Sequence, residues 1–330
     1  MRKRVPKILV TGGAGFIGSA FARRAARENY RTVVVDKLTY AGDLRRLDEI
    51  KNRYIFHKVD ICESKKLETV FKKESPDIVI NFAASTHVDR SIQDPTPFSK
   101  TNYLGTQLLL DISRRHGIKK FVHISSDEVY GEIDNGSFTE DSALKPNSPY
   151  AASKAAADLL IRSYIRTYGI PAIIIRPSNN YGCWQYPEKL IPLSILKILR
   201  NEKIPVYGNG RNIREWLYVD DCAEGILRIL EKGRTGEIYN LGGREEKHNI
   251  DVARMILEIL HKDKNLIEFV EDRPGHDRRY SLDSHKVHEE IRWKPRLNFE
   301  DGLRITVLWS LEHKDWLLCK WKNILPLLHV

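Results

Sequence analysis

A tyrosine and a lysine four residues apart, Tyr150 and Lys154, form a pair that could transfer a proton. In a helix this spacing places both side chains on one face, where the lysine ammonium can lower the pKa of the phenol. Tyr150 could then accept a proton at neutral pH. The alanine-rich residues 151–157 predict that the pair lies at the start of a helix. A bare pair of this kind is common on helix surfaces, so its function depends on the other motifs of the chain.

Two adjacent carboxylic acids, Asp127 and Glu128, follow an apolar run at residues 121–125. In an open α/β sheet, ligands bind at the edge where such buried strands end. Two close carboxyl groups in an enclosed pocket can have different pKa values, so one can act as an acid and the other as a base. The alternative for an isolated Asp-Glu pair is a solvated acidic loop.

Three glycines, Gly12, Gly15 and Gly18, lie between an apolar run and a helical pattern. Glycines in this context let the backbone turn tightly and approach a pyrophosphate at the N-terminal end of the helix. Asp36 ends the next apolar run, about 20 residues on, where a carboxylate binds the ribose hydroxyls of NAD. The same carboxylate would repel the 2'-phosphate of NADP, although the neighbouring Lys37 weakens that argument. The alternative is an ordinary glycine turn.

The elements that must position these residues follow from the apolar pattern. Apolar or β-branched runs predict strands at residues 7–11, 32–36, 55–59, 78–82, 121–125 and 172–176. Helical patterns cover residues 16–28, 97–116, 150–168, 190–200, 220–231 and 250–261. Strands without polar alternation, separated by helices, indicate an α/β fold with a doubly wound parallel sheet buried on both faces.

The chain is also expected to divide into two interleaved parts. Beyond residue 182 the alternation of strands and helices loosens, and no flexible linker separates the two regions. We predict an NAD-binding domain of residues 1–182 plus about 216–246. Residues of about 183–215 and 247–330 then form a smaller C-terminal substrate-binding lobe.

The composition is that of a globular protein with an excess of positive charge. The 330 residues are 42% hydrophobic and 30% charged, which excludes disordered and collagen-like proteins. The 54 Lys and Arg against 44 Asp and Glu give a net charge of +10. Such a charge suits a nucleic acid, an anionic membrane surface or an anionic small molecule.

Cysteine content and hydropathy indicate the compartment. The four cysteines are far apart and predict neither a disulfide framework nor a metal site, so we expect a reducing compartment, the cytoplasm. No apolar run approaches the ~20 residues of a membrane span. The basic residues 1–4 are followed by an apolar run that is too short for a signal peptide.

Taken together, the glycine turn, the Tyr/Lys pair and the upstream Ser126 resemble the extended branch of the short-chain dehydrogenase/reductase superfamily. The stretch Ser126-Asp-Glu-Val-Tyr-Gly131 is similar to the signature of nucleotide-sugar 4,6-dehydratases, which belong to its NAD-dependent epimerase/dehydratase family. Further similar segments lie at residues 83–91, 178–182, 187–192, 213–219, 272–280 and 293–296. The resemblance therefore covers residues 7–316 and implies a Rossmann-type fold.

The resemblance implies an NAD-dependent hydro-lyase of deoxysugar biosynthesis, of which rhamnose is one product. Such an enzyme oxidises carbon 4 of dTDP-glucose, eliminates water across carbons 5 and 6, and returns the hydride to carbon 6. NAD would stay tightly bound because it is regenerated in each cycle. The superfamily also implies a homodimer formed through two long helices.

The resemblance assigns roles to individual residues. Tyr150 takes the proton of the 4-hydroxyl, Lys154 tunes it and Ser126 binds the same oxygen, while Glu128 is the base at carbon 5 and Asp127 the acid that protonates the departing 6-hydroxyl. Tyr150 and Lys154 also bind the cofactor, together with Gly12, Gly15, Phe16, Ile17, Gly18, Asp36, Lys37, Leu38, Thr39, Asp60, Ile61, Ala83, Ala84, Thr101 and Asn180. The implied substrate-binding residues are Thr86, Ser126, Asn179, Lys189, Leu190, Pro205, Tyr207, Arg214, Asn249, Arg273 and His276.

Two segments depart from the family pattern. Cys183-Trp184 replaces a Pro-aromatic pair beside the substrate loop, which leaves the shape of that loop open. Cys183 could in principle be a nucleophile, but no histidine is placed by the sequence to activate it, so we expect a packing role. The segment 316–328 extends beyond the usual family end and is amphipathic. We expect it to dock on the protein itself, with a membrane or a partner as the alternative.

Several other functions remain open at this stage. UDP-glucose could replace dTDP-glucose, because a single methyl group contributes only ~1–3 kcal/mol to discrimination. Epimerases and decarboxylases of the same fold share the glycine turn and the Tyr/Lys pair but lack the Asp-Glu pair. A non-enzymatic NAD-binding or nucleic-acid-binding module is a further alternative. Against a nucleic-acid partner, the Lys and Arg residues are scattered among acidic residues.

Overall fold

The computed structural model describes residues 5–324 of the chain. Within them, strands β1 to β12 are Lys7–Thr11, Arg31–Asp36, Tyr54–Lys58, Ile78–Asn81, Lys120–Ile124, Ala172–Pro177, Asn179–Tyr181, Ile204–Tyr207, Ile213–Tyr218, Ile238–Leu241, Glu246–His248 and Ile267–Val270. Over the same residues, helices α1 to α11 are Phe16–Arg27, Ser64–Glu74, Val88–Gln93, Thr96–Phe98, Thr106–Arg115, Pro149–Tyr168, Leu190–Leu199, Val219–Lys232, Asn249–Ile259, Phe299–Glu312 and Lys314–Ile324.

The main sheet of the described chain has seven strands in the order β10-β6-β5-β4-β1-β2-β3. All neighbouring strands run parallel. Side chains alternate between the two faces along each strand. Ile8 and Val10 pack with α1 and α8 on one face, whereas Leu9 packs with α2, α5 and α6 on the other. The predicted doubly wound parallel sheet, buried on both faces, is confirmed.

The six predicted strands are present, with ends that differ by one residue in most cases. The seventh strand, β10, was not predicted, because it has four residues and contains the polar Asn240. It pairs with β6 and so brings the chain back to the main sheet. The domain boundaries themselves stay a prediction.

The predicted helix over residues 97–116 is interrupted. Residues Ser99–Gly105 form a π-helical segment between α4 and α5. One cause is side-chain competition for the backbone, since Thr106 Oγ1 donates to Asn102 O at 2.7 Å. The Asn102 side chain in turn bonds to Ser85 and Ser153. The segment packs against α6, and Thr101 and Asn102 are buried.

The second lobe covers the carboxyl edge of the main sheet. Its core consists of α7, α9, α10 and α11, together with a three-stranded sheet, β11-β9-β7, and a two-stranded sheet, β12-β8. Trp316, Leu317 and Trp321 of α11 are buried in this core. The described part of the C-terminal segment therefore docks on the protein's own surface. Residues 325–328 of that segment and the basic residues 1–4 lie outside the described residues.

No helix within residues 5–324 combines the length and the apolar character that crossing a bilayer requires.

Candidate active site

A cavity of about 820 Å³ lies between the carboxyl edge of the main sheet and the second lobe. It brings together predicted site residues from distant parts of the chain. The two that lie farthest apart, Gly12 and His276, are separated by 264 positions. The predicted site residues that line it are Gly12, Gly15, Phe16, Ile17, Gly18, Asp36, Lys37, Thr39, Asp60, Ile61, Ala83, Ala84, Thr86, Thr101, Ser126, Asp127, Glu128, Tyr150, Lys154, Asn179, Asn180, Lys189, Leu190, Pro205, Tyr207, Arg214, Asn249, Arg273 and His276. Leu38 lies beside the cavity and contributes its backbone N–H to Asp36 Oδ1 at 2.8 Å.

The glycine turn has the shape of a cradle for a pyrophosphate. Gly12 has φ +66°, and a Cβ atom there would lie 2.6 Å from Ala83 N. A Cβ atom on Gly18 would collide with Gly12 O. No side chain of the described residues caps α1, because Gly15 occupies the N-cap position. The first turn of this helix therefore offers its backbone N–H groups to an anion in the cavity.

The far side of the turn holds a carboxylate at the position that a ribose diol requires. Asp36 ends β2, and its two oxygens accept hydrogen bonds from Leu38 N and Ala14 N. Burial raises the pKa of Asp36, and the two backbone N–H groups act in the opposite direction. Lys37 forms an ion pair with Asp60 at 3.2 Å, so its charge is compensated within the protein. The glycine cradle and Asp36 together fit NAD.

Ser126, Asp127 and Glu128 form a short turn immediately after β5. The turn Asp127–Tyr130 is 3-10 helical, and Ser126 caps it by accepting a hydrogen bond from Glu128 N at 3.3 Å. The Ser126 hydroxyl donates to Asp127 Oδ1 at 3.1 Å, while Oδ2 has no hydrogen-bond partner among the described residues. A buried oxygen without a partner is costly unless a ligand satisfies it. The turn thus aims both carboxyl groups into the cavity.

The two carboxyl groups have different electrostatic surroundings. Burial and the neighbouring charge of Glu128 hold the pKa of Asp127 well above its ordinary value. Burial also raises the pKa of Glu128, but Arg273, Lys189 and Arg214 oppose this shift. The ionised form is therefore favoured at Glu128 relative to Asp127. The assignment of Glu128 as base and Asp127 as acid, which the resemblance implies, stays a prediction.

Tyr150 and Lys154 begin α6, as predicted, and both line the cavity, while the effect of the lysine on the phenol stays a prediction. Burial, followed by the Glu128 carboxylate, raises the pKa of Tyr150, whereas its hydrogen bond with Ser126 lowers it. Lys154 Nζ donates to Ile124 O at 2.6 Å, and burial lowers the pKa of Lys154 to about 8. Within the protein, the charges that act on the phenol are thus mainly those of carboxylates.

The second lobe supplies Arg214 and Arg273 to the cavity. Arg273 forms an ion pair with Asp89 at 3.0 Å across the cleft. Arg214 donates to Asp277 O at 2.9 Å and lies over the Tyr280 ring. Guanidinium groups of this kind bind paired phosphate oxygens. Burial, with the charges of Arg273 and Arg214, lowers the pKa of His276 to about 4, so this residue is neutral at pH 7.

The cavity also contains residues that were not predicted as site residues. Tyr280 is buried, and its hydroxyl bonds to Asp277. Glu188 receives a hydrogen bond from Tyr40 at 3.2 Å and one from Arg90 at 3.5 Å. Tyr280 and Glu188 lie inside stretches that had been singled out, at residues 272–280 and 187–192. The family resemblance of these stretches was the signal that could have identified them.

Cys183 shows no sign of activation. Its Sγ atom lies 3.5 Å from the Tyr218 hydroxyl, and burial raises the pKa of the thiol. A thiol with a raised pKa is a poor nucleophile at neutral pH. The packing role expected for Cys183 agrees with these surroundings.

Comparisons with known proteins point to one family. The family described as GDP-mannose 4,6 dehydratase matches residues 9–306. A dTDP-glucose 4,6-dehydratase of Neisseria meningitidis serogroup B is 46% identical, over 97% of this chain and 96% of the relative. The crystal structure of DesIV, a dTDP-glucose 4,6-dehydratase from Streptomyces venezuelae with NAD and TYD bound, has a TM-score of 0.92 and 45% identity, covering 94% of this chain and 98% of the other. A UDP-glucose 4-epimerase from Thermotoga maritima has a TM-score of 0.88 and 30% identity, covering 93% and 99%.

Gly12→Ala should weaken NAD binding by more than about tenfold, because the new methyl group would strain a left-handed backbone and approach Ala83. Gly117→Ala is the matched control, since Gly117 has φ +59° and nothing within 4 Å of the added Cβ. Both variants place a side chain on a left-handed backbone, but only Gly12→Ala also brings the new methyl group close to Ala83. The NAD content of the purified proteins measures the difference. Equal losses in both variants would contradict the cradle.

Proposed function

The chain belongs to the protein family described as GDP-mannose 4,6 dehydratase. From its similarity to the dTDP-glucose 4,6-dehydratases, we propose that it converts dTDP-glucose into dTDP-4-keto-6-deoxyglucose and water. The observation that carries this function is the pair Asp127 and Glu128, two adjacent carboxyl groups in one cavity with unlike surroundings. An elimination needs a base and an acid at the same time. An epimerase, which only oxidises and reduces carbon 4, has no such need.

The oxidation at carbon 4 depends on Tyr150. When bound, NAD supplies the acceptor for the carbon-4 hydride and the donor that returns it to carbon 6. Tyr150 takes the proton of the 4-hydroxyl, and Ser126, which is hydrogen-bonded to the phenol, orients the same oxygen. Because the pKa of Tyr150 is raised in the protein, the phenol ionises at neutral pH only if a nearby positive charge favours the ionised form. Lys154 holds its ammonium in the same cavity.

The elimination across carbons 5 and 6 uses the two carboxyl groups. Oxidation of carbon 4 to a carbonyl acidifies the hydrogen at carbon 5, so a carboxylate is a sufficient base. Glu128 removes this proton, because nearby cations favour its ionised form. Asp127 gives its proton to the departing 6-hydroxyl, because its raised pKa keeps it protonated. Each such group contributes about 10²–10⁴-fold to the rate.

The second lobe holds the nucleotide. We assign the diphosphate to Arg214 and Arg273, whose guanidinium groups line the cavity. Asn249, Pro205 and Tyr207 belong to the same wall of the lobe. The preference for thymine or uracil in the nucleotide is tested by supplying purified protein with dTDP-glucose and UDP-glucose separately. The alkali-induced absorbance of the keto product then reports each substrate.

Asp127→Asn and Glu128→Gln should each lower formation of the 4-keto-6-deoxy product by about 10²–10⁴-fold while NAD stays bound. Glu128→Gln should also abolish exchange of the carbon-5 hydrogen with deuterated solvent, which Asp127→Asn should retain. Asp134→Asn, in the exposed loop that follows, is the control and should match the wild type. Product formation at the wild-type rate in either variant would exclude the assigned roles.

The rate should follow a bell-shaped pH profile. Activity is lost as the pH falls through the raised pKa of Glu128, because the base becomes protonated, and as the pH rises through the raised pKa of Asp127, because the acid is lost. Arg273 is the largest charge that lowers the pKa of Glu128. Arg273→Gln should therefore move the acid limb of kcat to higher pH. The exposed Arg278→Gln serves as the control, and an unmoved acid limb in Arg273→Gln would refute this assignment.

We further propose that two copies of the chain pair through α5 and α6. The surface around these helices exposes Leu104, Leu159 and Tyr168, at 49%, 55% and 52% of their areas. Leu159→Glu should shift the sedimentation coefficient from that of a dimer to that of a monomer. Leu308→Glu, on the exposed face of α10, is the matched control and should remain a dimer. A monomeric wild type at micromolar concentration would rule the proposal out.

A further inference from the structure

The two segments that depart from the family pattern contact each other. The Trp184 ring packs against Trp309 and Trp316, with ring centroids 4.8 and 5.3 Å apart, and against His313 at 5.6 Å. Trp184 has φ +69°, a left-handed conformation that is unfavourable for a bulky residue. Such a conformation persists only where the surroundings hold it. The aromatic rings of α10 and α11 are part of that support.

Arg46 connects Trp184 to the cofactor side of the cavity. Its guanidinium is 1% exposed and donates to three backbone carbonyls from three segments. These are Trp184 O at 2.9 and 3.1 Å, Ala14 O of the glycine turn at 2.8 Å, and Ala41 O of the loop after β2 at 2.5 Å. Burial lowers the pKa of Arg46 to about 10, so the group stays charged at neutral pH. A charged, buried donor makes each of these bonds strong.

Helix α11 contacts the same loop at Asp43, a residue of the loop. Trp316 Nε1 donates to Asp43 Oδ2 at 2.9 Å, and Lys320 Nζ lies 2.9 Å from the same oxygen. The backbone N–H of Asp43 donates to Ala14 O at 3.0 Å. Ala14 N in turn donates to Asp36 Oδ2 at 3.0 Å. A chain of direct contacts therefore runs from α11 to the carboxylate that fits the ribose of NAD.

We propose that Trp184, Arg46, Asp43 and Trp316 form a clasp that slows the release of NAD. The clasp joins the glycine turn, the loop over residues 37–43 and α11, and the cavity side of this loop includes Ala41 and Gly42. Release of the cofactor requires the glycine turn and the loop to separate, and the clasp opposes that separation. The inference rests on NAD as the bound cofactor. Retention matters here because the hydride taken from carbon 4 must return to the same substrate molecule.

Trp316→Phe tests the clasp, because it removes the N–H donor to Asp43 and keeps a smaller aromatic ring against Trp184 and Trp309. The control on this helix undergoes the same loss of ring size. The holoenzyme is loaded with radiolabelled NAD and chased with an excess of unlabelled NAD. The label should leave the variant about tenfold faster than the wild type, the change expected for one hydrogen bond to a charged group. Trp321→Phe is the matched control on the same helix, since Trp321 packs against Lys197 and Arg200 and should leave the rate unchanged.

A second variant keeps the test independent of any local change at Trp316. Asp43→Ala removes the acceptor and should also speed the loss of label. Adding Trp316→Phe to it should have less than an additive effect, because both substitutions break the hydrogen bond between Trp316 and Asp43. The proposal would be overturned if Trp316→Phe and Asp43→Ala lost labelled NAD at the wild-type rate. It would also be overturned if the effects of the two substitutions on this rate were additive in the double variant. A wild type that holds no NAD, either as purified or after incubation with labelled NAD, would instead overturn the cofactor. Turnover of dTDP-glucose measured with excess NAD separates both results from the proposed reaction.

Discussion

Two carboxyl groups that are neighbours in the chain lie together at the end of β5, in surroundings that shift their pKa values to different extents. Both lie in the same 3-10 turn, so the turn itself does little to distinguish them. The second lobe makes the difference, because the charges of Arg273, Lys189 and Arg214 lower the pKa of Glu128. At Asp127, burial and the charge of Glu128 outweigh the opposing effects of Ser126 and Arg214. The main sheet brings the two groups together, and the cations of the lobe favour ionisation of Glu128 over Asp127.

Much of the fold and part of the site could be predicted because their signals are local. A run such as residues 7–11, followed by Gly12 and a helical pattern, needs no distant partner to be recognised. The same holds for Asp36 at the end of β2 and for the spacing of Tyr150 and Lys154. Because parallel strands end at one edge of a sheet, predicting the strands also predicted that these residues would meet.

The remainder depended on contacts between distant segments. The π-helical segment Ser99–Gly105 reflects side-chain bonds that the helical pattern of residues 97–116 does not reveal. Burial and the carboxylates that face the phenol raise the pKa of Tyr150, and the spacing of Tyr150 and Lys154 reveals neither. The contact between Trp184 and Trp316 joins two segments whose sequences gave no sign of being neighbours. In each case the sequence identified the residue and the fold determined its surroundings.

The path of the chain also constrains how the protein can be made. The main sheet lacks an edge strand until residues 238–241 are available, because β10 pairs with β6. The loop that follows β2 is among the first segments synthesised, yet Asp43 meets its partner Trp316 only when α11 is complete. A nascent chain that lacks α11 would therefore lack the contact between Asp43 and Trp316, and the clasp would form only after this helix has been synthesised.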